Sequence, residues 1–129
     1  MPEVALLYTG LLAIAFAVLS TLVSIRRGQT NIPLGHGQDR RLELAVRRFG
    51  NLSEYGPMAC LVLVLLEMSG TSSGWLHAYG IALVGFRSLH PVSLFCDPDS
   101  PLWMKSARFV SAAGTAALLL AGGIALVAT

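Results

Sequence analysis

The sequence predicts an all-α integral membrane protein: one domain, residues 1–129, built as a bundle of four transmembrane helices. Three observations predict it. The chain is 54% hydrophobic and only 12% charged, with a mean hydropathy of +0.67, well away from ordinary soluble domains. Residues 4–25 and 109–129 carry no charged side chain, and each is close to the ~20 residues that an α-helix needs to cross the hydrocarbon. Between them lie two more apolar segments, residues 44–68 and 75–95, set apart by turn-forming stretches. Four spans use almost the whole chain and leave no room for a soluble domain.

The first helix is expected over residues 2–27. It reads as permanent rather than as a cleaved leader, because only Glu3 precedes it and its apolar run is too long. Arg26 and Arg27 close it at the membrane interface, where snorkelling cations belong. Residues 28–38 hold Gly28, Pro33, Gly35 and Gly37 and read as an irregular loop. Asp39 suits the N-cap of the second helix, and Glu43 and Arg47 stand at ion-pair spacing in its early turns. Pro57 lies inside that helix and removes one backbone hydrogen bond, so a kink is expected there. Residues 69–74 form a polar turn, and Trp75 opens the third helix as an interfacial aromatic. That helix should end near Cys96, before the Pro- and Asp-rich residues 97–101. Lys105 and Arg108 stand ahead of the last span, whose small residues (Ala112, Ala113, Gly114, Ala116, Ala117, Gly122) let helices approach closely.

Charge placement gives orientation. Six of the nine Lys and Arg residues lie between Arg26 and Arg48, and Lys105 and Arg108 belong to the same membrane face. The positive-inside rule then puts the 1–2 and 3–4 loops in the cytoplasm and both termini outside. No soluble basic domain exists to bind nucleic acid. Cys60 and Cys96 sit at different depths, so a disulfide is not expected, and no Cys or His spacing resembles a metal site.

Chemistry concentrates in the second helix. Arg47, Asn51, Glu54 and Tyr55 follow i, i+4, i+7, i+8 spacing, so a cation, an amide, a carboxylate and a phenol share one helix face. An ionised group at that depth is costly unless paired or facing a polar cavity. The stripe is either a polar network locking helices together or a docking face for a zwitterionic, peptide-like ligand. In the second case Arg47 holds a carboxylate, Glu54 an ammonium and Asn51 a backbone amide. Arg87 and His90, at i and i+3 on the third helix, lie at similar depth. Glu54 is the expected partner of Arg87, and a headgroup position is the plain alternative for His90. Arg108 is either an interfacial anchor or a cation able to hold a thiolate.

Arg47, Asn51, Ser53, Glu54, Tyr55 and Pro57 together resemble the helix 2 signature of the MAPEG superfamily, membrane-associated proteins of eicosanoid and glutathione metabolism. The run from Gly35-His36-Gly37 through Glu43, then Phe49 to Tyr55, Trp75 to Ala78 and Arg87 to His90, is similar to its bacterial inner-membrane members. The resemblance implies a homotrimer that binds glutathione as cosubstrate between subunits on the cytoplasmic side. It assigns Arg47, Asn51, Glu54 and Tyr55 to glutathione, with Arg87 and His90 from the third helix and Arg26 and Arg27 from a neighbour. Arg108 takes the place of the thiolate-activating arginine. Leu94 stands where eukaryotic enzymes of the family keep a tyrosine, and Pro91 and Val92 depart from their local pattern.

The expected activity is a glutathione transferase or peroxidase acting on small lipophilic electrophiles that arrive through the membrane lipid. A non-catalytic scaffold or lipophile-binding bundle is the alternative. An exporter is a third reading; it needs an intramembrane carboxylate, for which Glu67 is the candidate, at the outer interface.

Overall fold

The computed structural model describes residues 1–94 and 99–128. Four helices follow one another: α1 Glu3–Thr30, α2 Arg40–Met68, α3 Ser73–Ser93 and α4 Leu102–Val127. α1, α2 and α4 are long and apolar enough to cross a membrane. The 21-residue α3 falls short of that measure, because His77, Arg87 and His90 dilute its apolar run; two of those three are buried inside the bundle.

Local chemistry sets the helix ends. Gly28 does not stop α1, which continues one turn past the expected Arg27 to Thr30. Asn31 ends it by taking a left-handed conformation, φ 55°, which asparagine tolerates better than most residues. Arg27 then gathers the loop: its guanidinium donates to the carbonyls of Ile32, Pro33 and Gly35 at 3.0–3.1 Å. Asp39 is the N-cap of α2, accepting from the Leu42 N–H at 2.6 Å, and the same carboxylate holds Arg26 at 2.6 Å. The Arg26 guanidinium beside Asp39 pulls its carboxyl below the usual aspartate range, with the Leu42 N–H adding to that.

Pro57 does not interrupt α2, which runs unbroken for 29 residues. Its far end closes with the Gly70 N–H on the Glu67 carbonyl and the Thr71 N–H on the Leu66 carbonyl. Gly70 sits at φ 86°, the position for which a left-handed helix stop selects glycine. Pro101 precedes α4, so Lys105 and Arg108 lie within its first two turns rather than ahead of it. α3 ends at Ser93; Cys96, where its end was expected, lies outside the described residues, as do Asp97 and Pro98 of the expected turn.

α2 and α3 form the middle of the bundle and touch each other. α1 and α4 flank them, each packing on both, and α1 and α4 make no contact among the described residues. The core is a spine of Leu12, Leu52, Ala59, Leu63, Leu76 and Leu83. Two glycines allow rings to lie against backbone. A Cβ at Gly80 would stand 2.1 Å from the Tyr8 ring, and one at Gly114 would stand 2.4 Å from that of Phe86. Leu11, Ile14, Val18 and Leu22 of α1 and Phe109, Leu120 and Ile124 of α4 face outward. A surface of that kind suits hydrocarbon or a neighbouring chain, not water.

Glu67 is not in a path through the bundle. Its two carboxylate oxygens accept the N–H groups of Val4 and Ala5 at 2.9 and 2.7 Å. The first N–H groups of a helix have no partner of their own and sit at the positive end of its dipole, so a carboxylate there is stabilising. The carboxylate that the exporter reading requires is thus occupied at the bundle's end.

Candidate functional site

The polar residues converge where α2, α3 and α4 meet. Arg87 is only 3% exposed. One of its NH2 groups donates to Asn51, at 3.1 Å to Oδ1 and 3.4 Å to the main-chain oxygen; the other donates to the Ser111 carbonyl at 3.0 Å. The Tyr55 ring lies 5.5 Å from the guanidinium carbon, within cation–π range. Among the described residues, this buried guanidinium is thus held by carbonyl dipoles and a ring face rather than by a carboxylate.

The expected Glu54–Arg87 pair does not form. Glu54 is exposed on the outer side of α2, and the ion pair found among the described residues is Arg26–Asp39. Successive residues of a helix are about 100° apart, so Asn51 reaches Arg87 while Arg47 and Glu54, at i and i+7, lie on the outer flank; Tyr55, 40% exposed, keeps its ring beside the guanidinium. Glu43 and Arg47, also expected to pair, make no ion pair; Arg47 is exposed.

His90, 4% exposed, adds a second layer. Its Nδ1 lies 2.9 Å from the Ser111 hydroxyl, which itself donates to the Arg108 carbonyl at 3.0 Å. A hydroxyl has one proton, so Ser111 accepts from His90, and Nδ1 carries the hydrogen. Within this cluster two buried nitrogens have no partner among the described residues: the Nε of Arg87, a donor, and the Nε2 of His90. The Ser111 carbonyl is further occupied by Thr115 Oγ1 at 2.9 Å.

The remaining residues of interest are distributed around this cluster. The Arg108 side chain is exposed, one turn before Ser111. Arg26 and Arg27 are held by Asp39 and by loop carbonyls of their own chain, away from Arg87. Leu94, just past α3, is buried and brings no hydroxyl. Sequence reasoning missed Ser111 and Thr115, both fully buried. Their signal was present: two hydroxyls at i and i+4 in a stretch, residues 111–117, whose other members are alanine and glycine.

Chemically, the arrangement offers an exposed cation and an exposed carboxylate on α2, an inner wall of Arg87 and Asn51 edged by the exposed Tyr55 ring, and a further exposed cation on α4. Among the described residues no group of acidic, histidine or cysteine side chains is arranged to hold a metal ion.

Comparison with known proteins bears on the same elements. The chain is 33% identical over 83 residues to the inner membrane protein YecN of Escherichia coli strain K12, and equally so to YecN of strain O6:H1. The aligned part covers 58% of this chain and 63% of each relative. No solved structure matches. The MAPEG family pattern matches residues 5–128, from the first turn of α1 to the end of α4. With that match running over all four helices and through the cluster around Arg87, the chain belongs to the MAPEG family.

Proposed function

We propose that this protein is a membrane-bound glutathione-dependent transferase or peroxidase that acts on lipophilic electrophiles. It sits in the inner membrane as a homotrimer, with glutathione between subunits on the cytoplasmic side and both termini outside. The observation that carries the reading is the pair Arg47 and Glu54, both exposed on α2 and neither ion-paired among the described residues. They stand seven residues, roughly 10 Å, apart along the helix, beside the inner wall of Asn51 and Arg87 and the Tyr55 ring at its edge. Glutathione is an extended peptide with carboxylates at its ends and an ammonium near one of them. Arg47 takes a carboxylate, Glu54 the ammonium and Asn51 a peptide group.

The family resemblance supports the same residues, and the inner-membrane name of the relatives supports the location. In this reading Arg108 lies close to the sulfur. A guanidinium there favours loss of the thiol proton, and the thiolate then attacks the electrophile, forming a carbon–sulfur bond as the leaving group departs with its electron pair. His90, fixed by Ser111, lines the inner end of the site. Arg26 and Arg27, bonded within their own loop, keep the side of a neighbour's cleft in shape.

A scaffold without chemistry is favoured by one observation: Arg87 and Asn51 already satisfy each other. Titration of the detergent-purified protein with glutathione separates the readings. Glu54→Gln should weaken binding by the roughly 1.5–3 kcal/mol of a charge-assisted hydrogen bond, with the oligomer intact. Unchanged binding with a dissociated oligomer would favour the scaffold. Conjugation of an aryl halide at neutral pH should fall sharply in Arg108→Ala; activity that survives the substitution would remove Arg108 from the mechanism.

A further inference from the structure

A second concave site lies between α1 and α2, at the end of the bundle where Asp39 holds Arg26. It is a notch of about 340 Å³ whose lining includes Arg26, Gln29, Arg41 and Arg48 together with Leu22 and Ile25. Arg41 and Arg48 stand at i and i+7 on α2, so they share a face. Among the described residues no carboxylate lines the notch. Asp39 is engaged with Arg26, and among the described residues neither Arg41 nor Arg48 makes an ion pair. Arg48 lines the notch and is half-buried, and its Nε is buried without a hydrogen-bond partner among the described residues. The other wall is apolar and open: Leu22 and Ile25 are each about half exposed on the outer side of a membrane-spanning helix.

We propose that this notch binds an anionic glycerophospholipid, with its phosphate between Arg41 and Arg48 and an acyl chain along Leu22 and Ile25. A soluble anion would use the arginines and leave the apolar wall untouched. A zwitterionic lipid would use the wall but bring its own cation toward the arginines. An anionic lipid satisfies both walls at once, and basic pockets between membrane helices at the headgroup level take such lipids. Arginine suits the task because its planar donors pair two at a time with phosphate oxygens. The notch borders the cleft side that Arg26 shapes, but Arg41, Arg48, Leu22 and Ile25 are not among the residues assigned to glutathione, so the lipid assignment does not depend on that reading.

The test uses the full-length protein in detergent micelles, titrated with short-chain phosphatidylglycerol or phosphatidylcholine and read as lipid retained per chain by native mass spectrometry. The expected result is preferential retention of phosphatidylglycerol, reduced about tenfold or more in the Arg41→Gln, Arg48→Gln double variant. Leu22→Trp, which fills the apolar wall and leaves the charges alone, should reduce it too, and it carries the test if the double variant does not fold. Inorganic phosphate at the same concentration should not displace the lipid, and glutathione affinity should stay unchanged in both variants. Equal retention of the two lipids, or full retention in the variants, overturns the proposal. Displacement by inorganic phosphate would reassign the notch to a soluble anion. Loss of glutathione affinity alongside the lipid would merge it with the other site. A change of oligomeric state with lipid retention unaltered would make it an interface between copies; each of these three also overturns the lipid assignment.

Discussion

Ser111 shows how much a single hydroxyl can organise. It gives its proton to the Arg108 carbonyl, takes one from His90, and lends its own carbonyl to Arg87 and Thr115. Replacing it with alanine leaves the His90 Nδ1–H buried with no acceptor, which costs about 1–3 kcal/mol. Ser111→Ala should therefore lower the thermal unfolding midpoint in detergent, while Ser111→Thr, which keeps the oxygen, should recover part of it. An unchanged midpoint in Ser111→Ala would mean that His90 finds another acceptor. The inner wall at this scale was half legible in the sequence. Residue types and helical spacing singled out Asn51, Tyr55, Arg87 and His90, because an isolated cation in an apolar segment must find a partner. Spacing along one helix cannot say which partner, and the obvious carboxylate, Glu54, lies on the outward flank. The carbonyls that hold Arg87 come from residues 36 positions before it and 24 after it, and main-chain oxygens leave no trace in a sequence.

At the scale of elements, the cap residues were readable and the boundaries less so. Asp39 was recognisable as the start of α2 because a short carboxylate before a periodic segment has a specific task there. α1 outruns the expected Arg27 because Gly28 faces no steric demand that would end a helix, whereas Asn31 can adopt the left-handed turn. α4 starts earlier than its uncharged window because Lys105 and Arg108 are compatible with a helix that has not yet entered the hydrocarbon. The Arg26–Asp39 pair sets a pH dependence for the loop between α1 and α2. The folded carboxyl titrates below the unfolded value of about 3.9, so its stabilising contribution is complete well above that value. It is lost as the pH falls through 3.9 and on past the folded value. Limited proteolysis of the loop should accelerate below about pH 4, and Asp39→Asn should show the faster cleavage at neutral pH. Equal cleavage of the two proteins at neutral pH would show that Arg27 alone holds the loop.

The whole molecule was the most legible level. Composition and two uncharged windows gave the four helices in order, since crossing a bilayer leaves few alternatives to an apolar helix. What patterning could not supply was the arrangement, with α2 and α3 central and α1 and α4 apart; ring–glycine contacts seat α1 and α4 separately on α3. Gly80→Ala would push a methyl into the Tyr8 ring, which is itself held by a 2.8 Å hydrogen bond to His77. Overpacking of this kind costs roughly 1–3 kcal/mol, and Gly80→Ala should lower the yield of folded protein accordingly. Normal yield and melting would indicate that Tyr8 swings away without penalty. Orientation has its own measurement: reporter fusions after Ser72 and after Ala128 should both read on the outer side, and a cytoplasmic reading for either would invert the assignment.

The carboxylate of Glu67 and the pairing of Asp39 with Arg26 have a consequence for the order of assembly. The two latches fasten the α1–α2 hairpin at opposite ends, one holding the start of α1 and the other its finish. Neither uses a residue later than Glu67, so the first hairpin can bolt shut while α3 is still unmade. The second half of the chain then docks onto a finished template, and Arg87 meets an Asn51 whose position is already decided. A defect in either latch should be felt during biogenesis, before a mature protein exists to be destabilised.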